Sequence, residues 1–256
     1  MLKEKIKTKK KTIGMHINFN DIAVGKIAGA AGYDFVWIDM EHSYLSLENL
    51  LNLIIGVKAS GGQVIVRAPQ DDLTFTKKIL EMGVDGIIFP MIRNAEEANR
   101  ILSYTLYPPH GVRGFGPMNA IDFGFKNAGD YVASNHKDMC RFIQIEHINA
   151  VRNLDEIIKN EYIDGYIVGA NDLSGSMGML GNVFCDEVTD VIKEVVTKLH
   201  AAGKYVGIST GDFSQSTLQH WHDMGFDMIS AGADFDFLRE GMRNNRVMLE
   251  AIHLNK

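Results

Sequence analysis

The sequence predicts a (β/α)8 TIM barrel, an α/β fold in which eight parallel strands close on themselves. Three observations favour this fold. Eight short apolar segments recur along the chain, helical segments lie between them, and eight is the number of strands that closes such a barrel. An open doubly wound sheet is the alternative. It would more naturally have a Gly-x-Gly-x-x-Gly turn after its first strand, and no such turn follows Ile17.

Length and composition agree with one large domain. The chain has 256 residues, of which 46% are hydrophobic, and we expect a single barrel over residues 12–256. Residues 1–11 contain six lysines and no apolar run, which predicts a solvated Lys-rich tail or a lead-in to the first strand. The net charge of −6 disfavours nucleic acid, and no segment is long enough to cross a membrane. Two cysteines favour a reducing cytoplasm.

The strands are predicted from apolar, β-branched or aromatic segments that end at turn residues. They cover residues 12–17, 35–39, 63–67, 86–90, 139–146, 165–168, 204–208 and 227–231. Phe35–Asp39 is the clearest of them, because an apolar run meets an abrupt polar cluster. Pro69 stops the third strand.

The helices are predicted from apolar positions at helical spacing, with Asx caps such as Asn94 and glycine stops such as Gly32. They cover residues 21–32, 47–60, 73–82, 94–104, 127–135, 150–159, 186–202, 214–224 and 236–254. Two segments remain as loops. Residues 107–126 hold three of the five prolines, which indicates a functional or mobile loop, and residues 169–181 are rich in glycine.

Polar side chains follow the strands at their carboxyl ends, where such barrels have their active sites. The candidates are Asp39, Glu41 and His42 after the second strand, Arg67 after the third, Gln144 and Glu146 on the fifth, Asn171 and Asp172 after the sixth, and Ser209 after the seventh. His16 ends the first strand and could face the mouth of the site, but a packed or surface position is the more common role for such a histidine. Arg113 could reach a ligand or a neighbouring subunit, but we expect it to be solvated in its loop.

Glu146 and Asp172 would repel each other across neighbouring strands, and a divalent cation would remove that conflict. Oxygen ligands favour Mg²⁺ or Mn²⁺, with Co²⁺ as a substitute. Two alternatives stay open: an acid/base pair without metal, and a salt bridge from a carboxylate to Arg67. The fork of Arg67 suits a planar carboxylate or enolate, and a structural ion pair with Glu146 is the alternative for it.

His42 is the natural general base, directly or through metal-bound water, since Asp39 could accept from one of its ring nitrogens. The alternative is a metal held by Asp39, Glu41 and His42 themselves, whereas Glu41 alone could be structural. No lysine stands at a predicted strand end, which disfavours Schiff-base chemistry.

Several motifs together resemble the HpcH/HpaI aldolase family of metal-dependent class II pyruvate aldolases, with the citryl-CoA lyase group as more distant relatives. The resemblance runs from about Gly14 to the C-terminus. The motifs are Ile38-Asp39-Met40-Glu41-His42, Val66-Arg67, Phe89-Pro90-Met91 with Asn94-Ala95-Glu96-Glu97-Ala98, Tyr107-Pro108-Pro109-His110-Gly111-Val112-Arg113-Gly114, Gln144-Ile145-Glu146 and Gly169-Ala170-Asn171-Asp172-Leu173-Ser174.

The resemblance implies that Glu146 and Asp172 bind the metal and that Arg67 binds pyruvate and its enolate. It also implies proton transfer by His42, paired with Asp39, and a hexamer built as a trimer of dimers that exchange the last helix. Two departures bear on the acceptor aldehyde. The family loop after strand six usually reads Gly-Pro-Ala/Ser-Asp-Leu, and an aliphatic residue often stands at the position of Ser209.

We therefore predict reversible cleavage of a 4-hydroxy-2-oxo acid to pyruvate and an aldehyde, with Gln144, Asn171, Asp172 and Ser209 among the substrate-binding residues. A CoA-ester lyase of the citryl-CoA or malyl-CoA type is one alternative, although no basic cluster near the strand ends suggests a CoA site. A non-catalytic ketoacid-binding barrel is another. The Asp39, His42, Arg67, Glu146 and Asp172 set argues against it, because binding alone does not need a base.

Overall fold

The computed structural model describes residues 1–69 and 71–254, and in them eight parallel strands close into a barrel in chain order, with β8 pairing back onto β1. The predicted (β/α)8 fold is thus confirmed. The strands are β1 Thr12–Ile17, β2 Phe35–Asp39, β3 Val64–Arg67, β4 Gly86–Phe89, β5 Cys140–Ile145, β6 Gly165–Val168, β7 Val206–Thr210 and β8 Met228–Ala233.

Helices surround the barrel and connect its strands. They are α1 Leu2–Lys7, α2 Ile22–Ala30, α3 Leu47–Ala59, α4 Leu73–Glu81, α5 Ala95–Ser103, α6 Ala128–Asp138, α7 Ile148–Arg152, α8 Leu154–Ile157, α9 Ala170–Ser176, α10 Asp186–Ala201, α11 Gln215–Asp223 and α12 Asp234–His253, with a short 3-10 segment at Asn119–Gly124. None of the helices in the described ranges has the length and apolar character needed to span a bilayer.

Three predictions of local structure are corrected. The segment predicted as one helix at residues 150–159 is two short helices separated at Asn153, whose side chain donates to the Asn149 carbonyl at 2.8 Å. The glycine-rich segment contains α9, because Leu173 is fully buried and anchors a helical turn despite weak propensity. Strands β7 and β8 end two residues later than predicted, at Thr210 and Ala233.

The N-terminal segment is not a solvated tail. Leu2 and Ile6 of α1 are buried in the same cluster as the barrel-interior side chains Phe35 and Phe142. Lys3 is also buried, and its Nζ lies 2.6 Å from Asp164 Oδ1. The helix therefore closes the amino-terminal end of the barrel, so the site must open at the carboxyl ends of the strands.

The barrel interior is filled by large side chains set against glycines. A Cβ atom at Gly14 would lie 2.2 Å from the ring of Phe35, and one at Gly165 would lie 2.8 Å from the ring of Phe142. This alternation of large and small residues leaves a packed core and no pore. The outward faces of the strands pack against the helices in a second, larger cluster.

The long segment at 107–126 is held by a buried arginine. Arg113 is 1% exposed, so the expectation of solvated charge is wrong. Its Nη2 donates to Glu81 Oε1 at 2.8 Å, and its guanidinium carbon lies 4.5 Å from the ring centroid of Tyr107. An ion pair and a cation–π contact thus fix this segment to α4.

Candidate active site

A cavity of about 340 Å³ opens at the carboxyl ends of the strands. Its lining contains every residue predicted for the site apart from Glu41. The lining residues are His16, Asn18, Trp37, Asp39, His42, Arg67, Gln144, Glu146, Gly169, Ala170, Asn171, Asp172, Ser209, Gly211, Ala233, Phe235 and Asp236. The predicted residues from five different strands therefore face one space.

Arg67 and Asp39 form a two-point ion pair at the rim of the barrel. Arg67 Nε donates to Asp39 Oδ1 at 2.9 Å, and Nη2 donates to Oδ2 at 2.5 Å. Burial would raise the pKa of Asp39, but the hydrogen bond and charge of Arg67 lower it. Burial would likewise lower the pKa of Arg67, yet Asp39 raises it. Both groups are therefore held ionised.

Glu41 and Gln144 complete the surroundings of Arg67. Glu41 Oε2 lies 2.9 Å from Arg67 Nη1, and Nη1 donates to Gln144 Oε1 at 3.4 Å. The structural ion pair considered for Arg67 thus involves Asp39 and Glu41, and not Glu146. Burial raises the pKa of Glu41, despite the nearby charge of Arg67. The sequence predicts Glu41 as a candidate beside Asp39 that could be structural, and its ion pair with Arg67 agrees with that structural role.

His42 stands at the mouth of the cavity with 65% of its side chain exposed. Within the described ranges no hydrogen bond joins its ring to Asp39, so the expected orienting pair is not present, because Arg67 occupies that carboxylate. The nearest acid is Glu41, whose Oε2 lies 3.8 Å from His42 Nε2. Asp39 acts on this turn through the backbone instead, since its Oδ1 accepts from the Glu41 N–H at 3.0 Å.

Glu146 is a buried carboxylate with one donor on each oxygen. Oε1 accepts from the Met91 N–H at 2.6 Å, and Oε2 accepts from Gln144 Nε2 at 2.7 Å. Burial, together with the charges of Glu41 and Asp172, raises the pKa of Glu146 to about 7, although the Met91 N–H and the charge of Arg67 act in the opposite direction. This carboxylate is therefore ready to exchange its proton for another positive charge.

Asp172 and Asn171 enter the cavity from α9. Asp172 lies in the first turn of this helix, and its charge is close enough to raise the pKa of both Glu146 and Glu41. Gly169 precedes the helix, and a Cβ atom there would lie 2.5 Å from Glu146 Oε2. Glycine at this position thus leaves the space that the Glu146 carboxylate occupies.

His16 lies inside the cavity wall and was not assigned any chemistry. Its Nε2 is 3.2 Å from Ser209 Oγ and 3.0 Å from Ser230 Oγ, so Ser209 reaches the cavity together with His16. Burial and the charge of Arg67 lower the pKa of His16 to about 4, and the imidazole is neutral near pH 7. The alternation of strand β1 could have identified it, since Thr12, Gly14 and His16 share one face.

Taken together, the cavity carries a fixed guanidinium, a partly exposed imidazole and two carboxylates with free lone pairs. In residues 1–69 and 71–254 no three His, Cys, Asp or Glu side chains cluster closely enough to hold a cation by themselves. A cation at Glu146 and Asp172 would therefore take its other ligands from water or substrate. This arrangement can bind a chelating anion and move a proton beside it.

Comparisons with known proteins agree with the fold and identify the family. The sequence model of the HpcH/HpaI aldolase/citrate lyase family matches residues 12–240. The chain is 32% identical to the hydroxypyruvate/pyruvate aldolase of Agrobacterium fabrum, over 88% of this chain and 84% of that protein. It is 31% identical to the 2-keto-3-deoxy-L-rhamnonate aldolase of Escherichia coli, over 91% and 86% of the two chains.

Among solved structures, an HpcH/Hpal aldolase/citrate lyase family protein from Burkholderia cenocepacia J2315 superposes with a TM-score of 0.91. Its sequence is 24% identical, and the match covers 97% of this chain and 98% of the other. At that identity the likeness supports the fold alone.

Proposed function

Because the chain belongs to the HpcH/HpaI aldolase/citrate lyase family, we propose that it catalyses the reversible aldol cleavage of a 4-hydroxy-2-oxo acid to pyruvate and an aldehyde. The related proteins from Agrobacterium fabrum and Escherichia coli are named as aldolases of this kind. The observation that carries the proposal is the convergence of Asp39, His42, Arg67, Glu146 and Asp172 on one cavity or its rim. A base, a fixed cation and a pair of carboxylates are what this reaction needs.

Arg67 stabilises the negative charge that develops on the oxo-acid carbonyl oxygen when the carbon–carbon bond breaks. Its Nε and Nη2 are held by Asp39, which leaves Nη1 as the donor that faces Gln144 and Glu41. A guanidinium fixed before the reaction does not need to reorganise as the enolate forms, and preorganisation of this kind is a large part of catalysis. Arg67 is therefore both the anchor of pyruvate and a stabiliser of its enolate.

His42 takes the proton from the C4 hydroxyl group of the substrate. The C4–O bond becomes the carbonyl of the aldehyde, and the C3–C4 electrons move to C3 and C2 to give the pyruvate enolate. A proton then adds at C3 and releases pyruvate. The exposed position of His42 lets its proton exchange with solvent between turnovers, and Glu41 is the adjacent acid.

We include a divalent cation held by Glu146 and Asp172. Mg²⁺ or Mn²⁺ is proposed, with Co²⁺ as a substitute. The residues fit such a group because each oxygen of Glu146 uses one lone pair for its present donor and keeps a second. Burial beside other carboxylates, which raises the pKa of Glu146 to about 7, is a conflict that a cation relieves. When bound, the cation supplies Lewis-acid polarisation of the oxo acid.

Gln144, Asn171, Asp172 and Ser209 are the other residues proposed to contact substrate. Gln144 bridges Arg67 and Glu146 through its amide, so it orients both groups toward the same ligand. The CoA-ester lyase alternative receives no support from the described lining, where Arg67 is the only Lys or Arg and is the proposed anchor of the oxo acid. A CoA ester would need further cations for its phosphates.

We further propose that the protein is a homohexamer in which α12 is exchanged between subunits. We also propose that it works in the reducing cytoplasm, an environment in which its free cysteines stay reduced. Helix α12 exposes apolar side chains along its length, including Leu238, Met242 and Ile252. A groove of about 600 Å³ lies open on the outer face of β1 and β8. Its lining is mainly apolar and includes Ile13, Phe213, Leu218, Ile229 and Phe237.

Such an exposed apolar helix and such a groove are expected to be covered in the assembled protein. Light scattering of the wild type should give the mass of six chains. Met242→Glu should lower that mass, and the control Arg243→Glu on the same helix should change it less. A monomeric wild-type protein would contradict this part of the proposal.

The experiment for the proposed reaction is steady-state cleavage of a 4-hydroxy-2-oxo acid, followed by pyruvate release. We expect activity with Mg²⁺ or Mn²⁺, loss of activity with a chelator, and recovery when the cation returns. Full activity after chelation and dialysis would contradict the metal-dependent mechanism, and no cleavage of any such acid would contradict the aldolase assignment.

A further inference from the structure

His16, Ser209 and Ser230 form a polar cluster in a wall of the cavity, and of the three the proposed function uses Ser209 alone, as a substrate contact. Ser209 and Ser230 are direct partners in the pairing of β7 with β8, and both hydroxyl groups reach the same nitrogen, His16 Nε2. Ser230 is fully buried, whereas His16 and Ser209 line the cavity. Ser230 thus supports the imidazole of His16, and His16 and Ser209 are the residues placed to contact a ligand.

Trp37 fixes the plane of the imidazole. The rings of His16 and Trp37 meet edge to face, with centroids 5.0 Å apart and planes at 87°. A ring whose Nε2 lies within hydrogen-bond distance of two hydroxyl groups, and which packs against an aromatic side chain, has little freedom to rotate. The cluster is therefore a preformed feature of the cavity.

The cluster keeps unused hydrogen-bonding capacity. A serine hydroxyl group has one donor and two acceptor positions, and Ser209 Oγ uses one of the three in its contact with His16 Nε2. No hydrogen bond to His16 Nδ1 occurs in the part of the chain that the structure describes, and this atom is not among the buried polar atoms without a partner. Nδ1 is thus not fully buried, and its residue lines the cavity.

The charge of the cavity decides what chemistry fits this cluster. Asp39, Glu146, Asp172 and Asp236 line the cavity, and Arg67, the one Lys or Arg of the described lining, is the proposed anchor of the oxo acid. Burial and the charge of Arg67 keep the pKa of His16 at about 4, so the ring brings no positive charge near pH 7. A second carboxylate on the substrate would find no free cation there, whereas a hydroxyl group can both donate and accept.

We propose that His16 and Ser209, supported by Ser230 and Trp37, form a subsite that binds a hydroxyl group of the substrate. This inference rests on the proposed aldol reaction and names its substrate class: hydroxylated partners without a second carboxylate. Two sources supply the same chemistry. The hydroxyl group can belong to the oxo acid, as in hydroxypyruvate, or to the aldehyde carbon next to the carbonyl, as in lactaldehyde.

The test compares substrates that differ by that hydroxyl group alone. Carbon–carbon bond formation is measured with the metal-supplemented full-length protein for hydroxypyruvate against pyruvate, with propanal as acceptor. A second series uses lactaldehyde against propanal, with pyruvate as donor. Each ratio of kcat/KM is determined for the wild type, Ser209→Ala and His16→Phe. Ser216→Ala and His253→Phe, at exposed positions away from the cavity, are the matched controls.

Dividing the preference of a variant by the preference of the wild type removes the intrinsic reactivity of each oxo acid and each aldehyde. We expect Ser209→Ala and His16→Phe to lower the preference for the hydroxylated member about fivefold or more in one pair, through a higher KM. The affected pair identifies the source of the hydroxyl group. Far-ultraviolet circular dichroism checks the fold of His16→Phe, and Ser209→Ala carries the test if that variant does not fold.

A preference that changes less than about fivefold in both pairs for Ser209→Ala would overturn the subsite while leaving the aldolase proposal intact. Activity of the wild type toward none of the three donor–acceptor combinations would overturn the proposed reaction, and this inference with it. A matching fall in the two control variants would also overturn the subsite.

Discussion

The guanidinium of Arg67 donates a hydrogen bond to each carboxylate oxygen of Asp39, with Nε 2.9 Å from Oδ1 and Nη2 2.5 Å from Oδ2. The two residues are direct partners in the pairing of β2 with β3, so the barrel itself brings them side by side. Arg67 also lies over the ring of Trp37, with 5.4 Å from its guanidinium carbon to the ring centroid. Arg67 is the only Lys or Arg in the described cavity lining, and Asp39 and Trp37 hold it from two sides.

Replacing Arg67 by lysine should lower kcat/KM for cleavage by about a hundredfold or more. A lysine ammonium is a single point charge that cannot hold both oxygens of Asp39 and still face the substrate. Asp39→Asn should produce a similar loss, since Arg67 would then be free to turn toward Glu41. Steady-state kinetics of pyruvate release measures both effects.

The matched control for this pair is Arg100 with Asp71, an exposed ion pair in which Arg100 Nε donates to Asp71 at 3.1 Å. Arg100→Lys and Asp71→Asn should leave kcat/KM within about twofold, because exposed pairs contribute little. Equal losses in both pairs would mean that Arg67 acts only on folding, and the proposed role would be wrong.

His42→Ala should lower kcat by about 10²- to 10⁴-fold, because the C4 hydroxyl group loses its base. Binding of pyruvate to the variant, measured by calorimetry in the presence of Mg²⁺, should change little since Arg67 remains. His253→Ala, in the exposed last turn of α12, is the control. Retention of more than about a tenth of the wild-type kcat would exclude His42 as the base.

Metal affinity should increase with pH, because a proton on Glu146 competes with the cation. With its pKa raised to about 7, Glu146 is mostly protonated at pH 6 and mostly ionised at pH 8. We expect Mn²⁺ to bind about tenfold more tightly at pH 8 than at pH 6, in calorimetry of the metal-free protein. Glu146→Gln should lose most of the affinity, and the exposed control Glu96→Gln should keep it.

An affinity that does not change between these two pH values would contradict the role of Glu146 as a ligand. Binding that survives Glu146→Gln would contradict it as well.

Lys3→Ala should lower the free energy of unfolding by about 2 kcal/mol. Lys3 Nζ lies 2.6 Å from Asp164 and donates to the Met139 carbonyl at 2.8 Å, so its loss leaves a mostly buried carboxylate with fewer partners. Lys7→Ala, an exposed lysine of the same helix, should cost less than about 0.5 kcal/mol. Urea unfolding at one protein concentration compares them, and equal values would mean that α1 does not close the barrel in solution.

The fold was predictable because local signals and the barrel agree. Phe35–Asp39 is a run of apolar residues that forms β2 at the same bounds, and Asn94 caps α5 as expected. Helices α1 and α9 were missed for different reasons. Six lysines conceal the two apolar anchors of α1, Leu2 and Ile6, whose partners lie far along the chain, and glycine and serine weaken the helical signal of α9.

The residues that converge on the site could be predicted, because the carboxyl ends of parallel strands meet at one rim. Which side chains pair could not be predicted, because pairing depends on strand register and side-chain rotamers. The register of β2 with β3 places Asp39 against Arg67 and leaves His42 near Glu41. The register of β7 with β8 brings Ser209 and Ser230 to His16, which no local pattern reveals.

The central claim is that this cavity forms the enolate of pyruvate, and proton exchange at C3 of pyruvate in heavy water tests it most directly. Nuclear magnetic resonance should record loss of the methyl proton signal with the wild-type protein and Mg²⁺ or Mn²⁺. The loss should be much slower with a chelator or with Arg67→Lys. A wild-type protein that binds pyruvate in the presence of the cation, yet leaves its methyl protons unexchanged, would contradict the account.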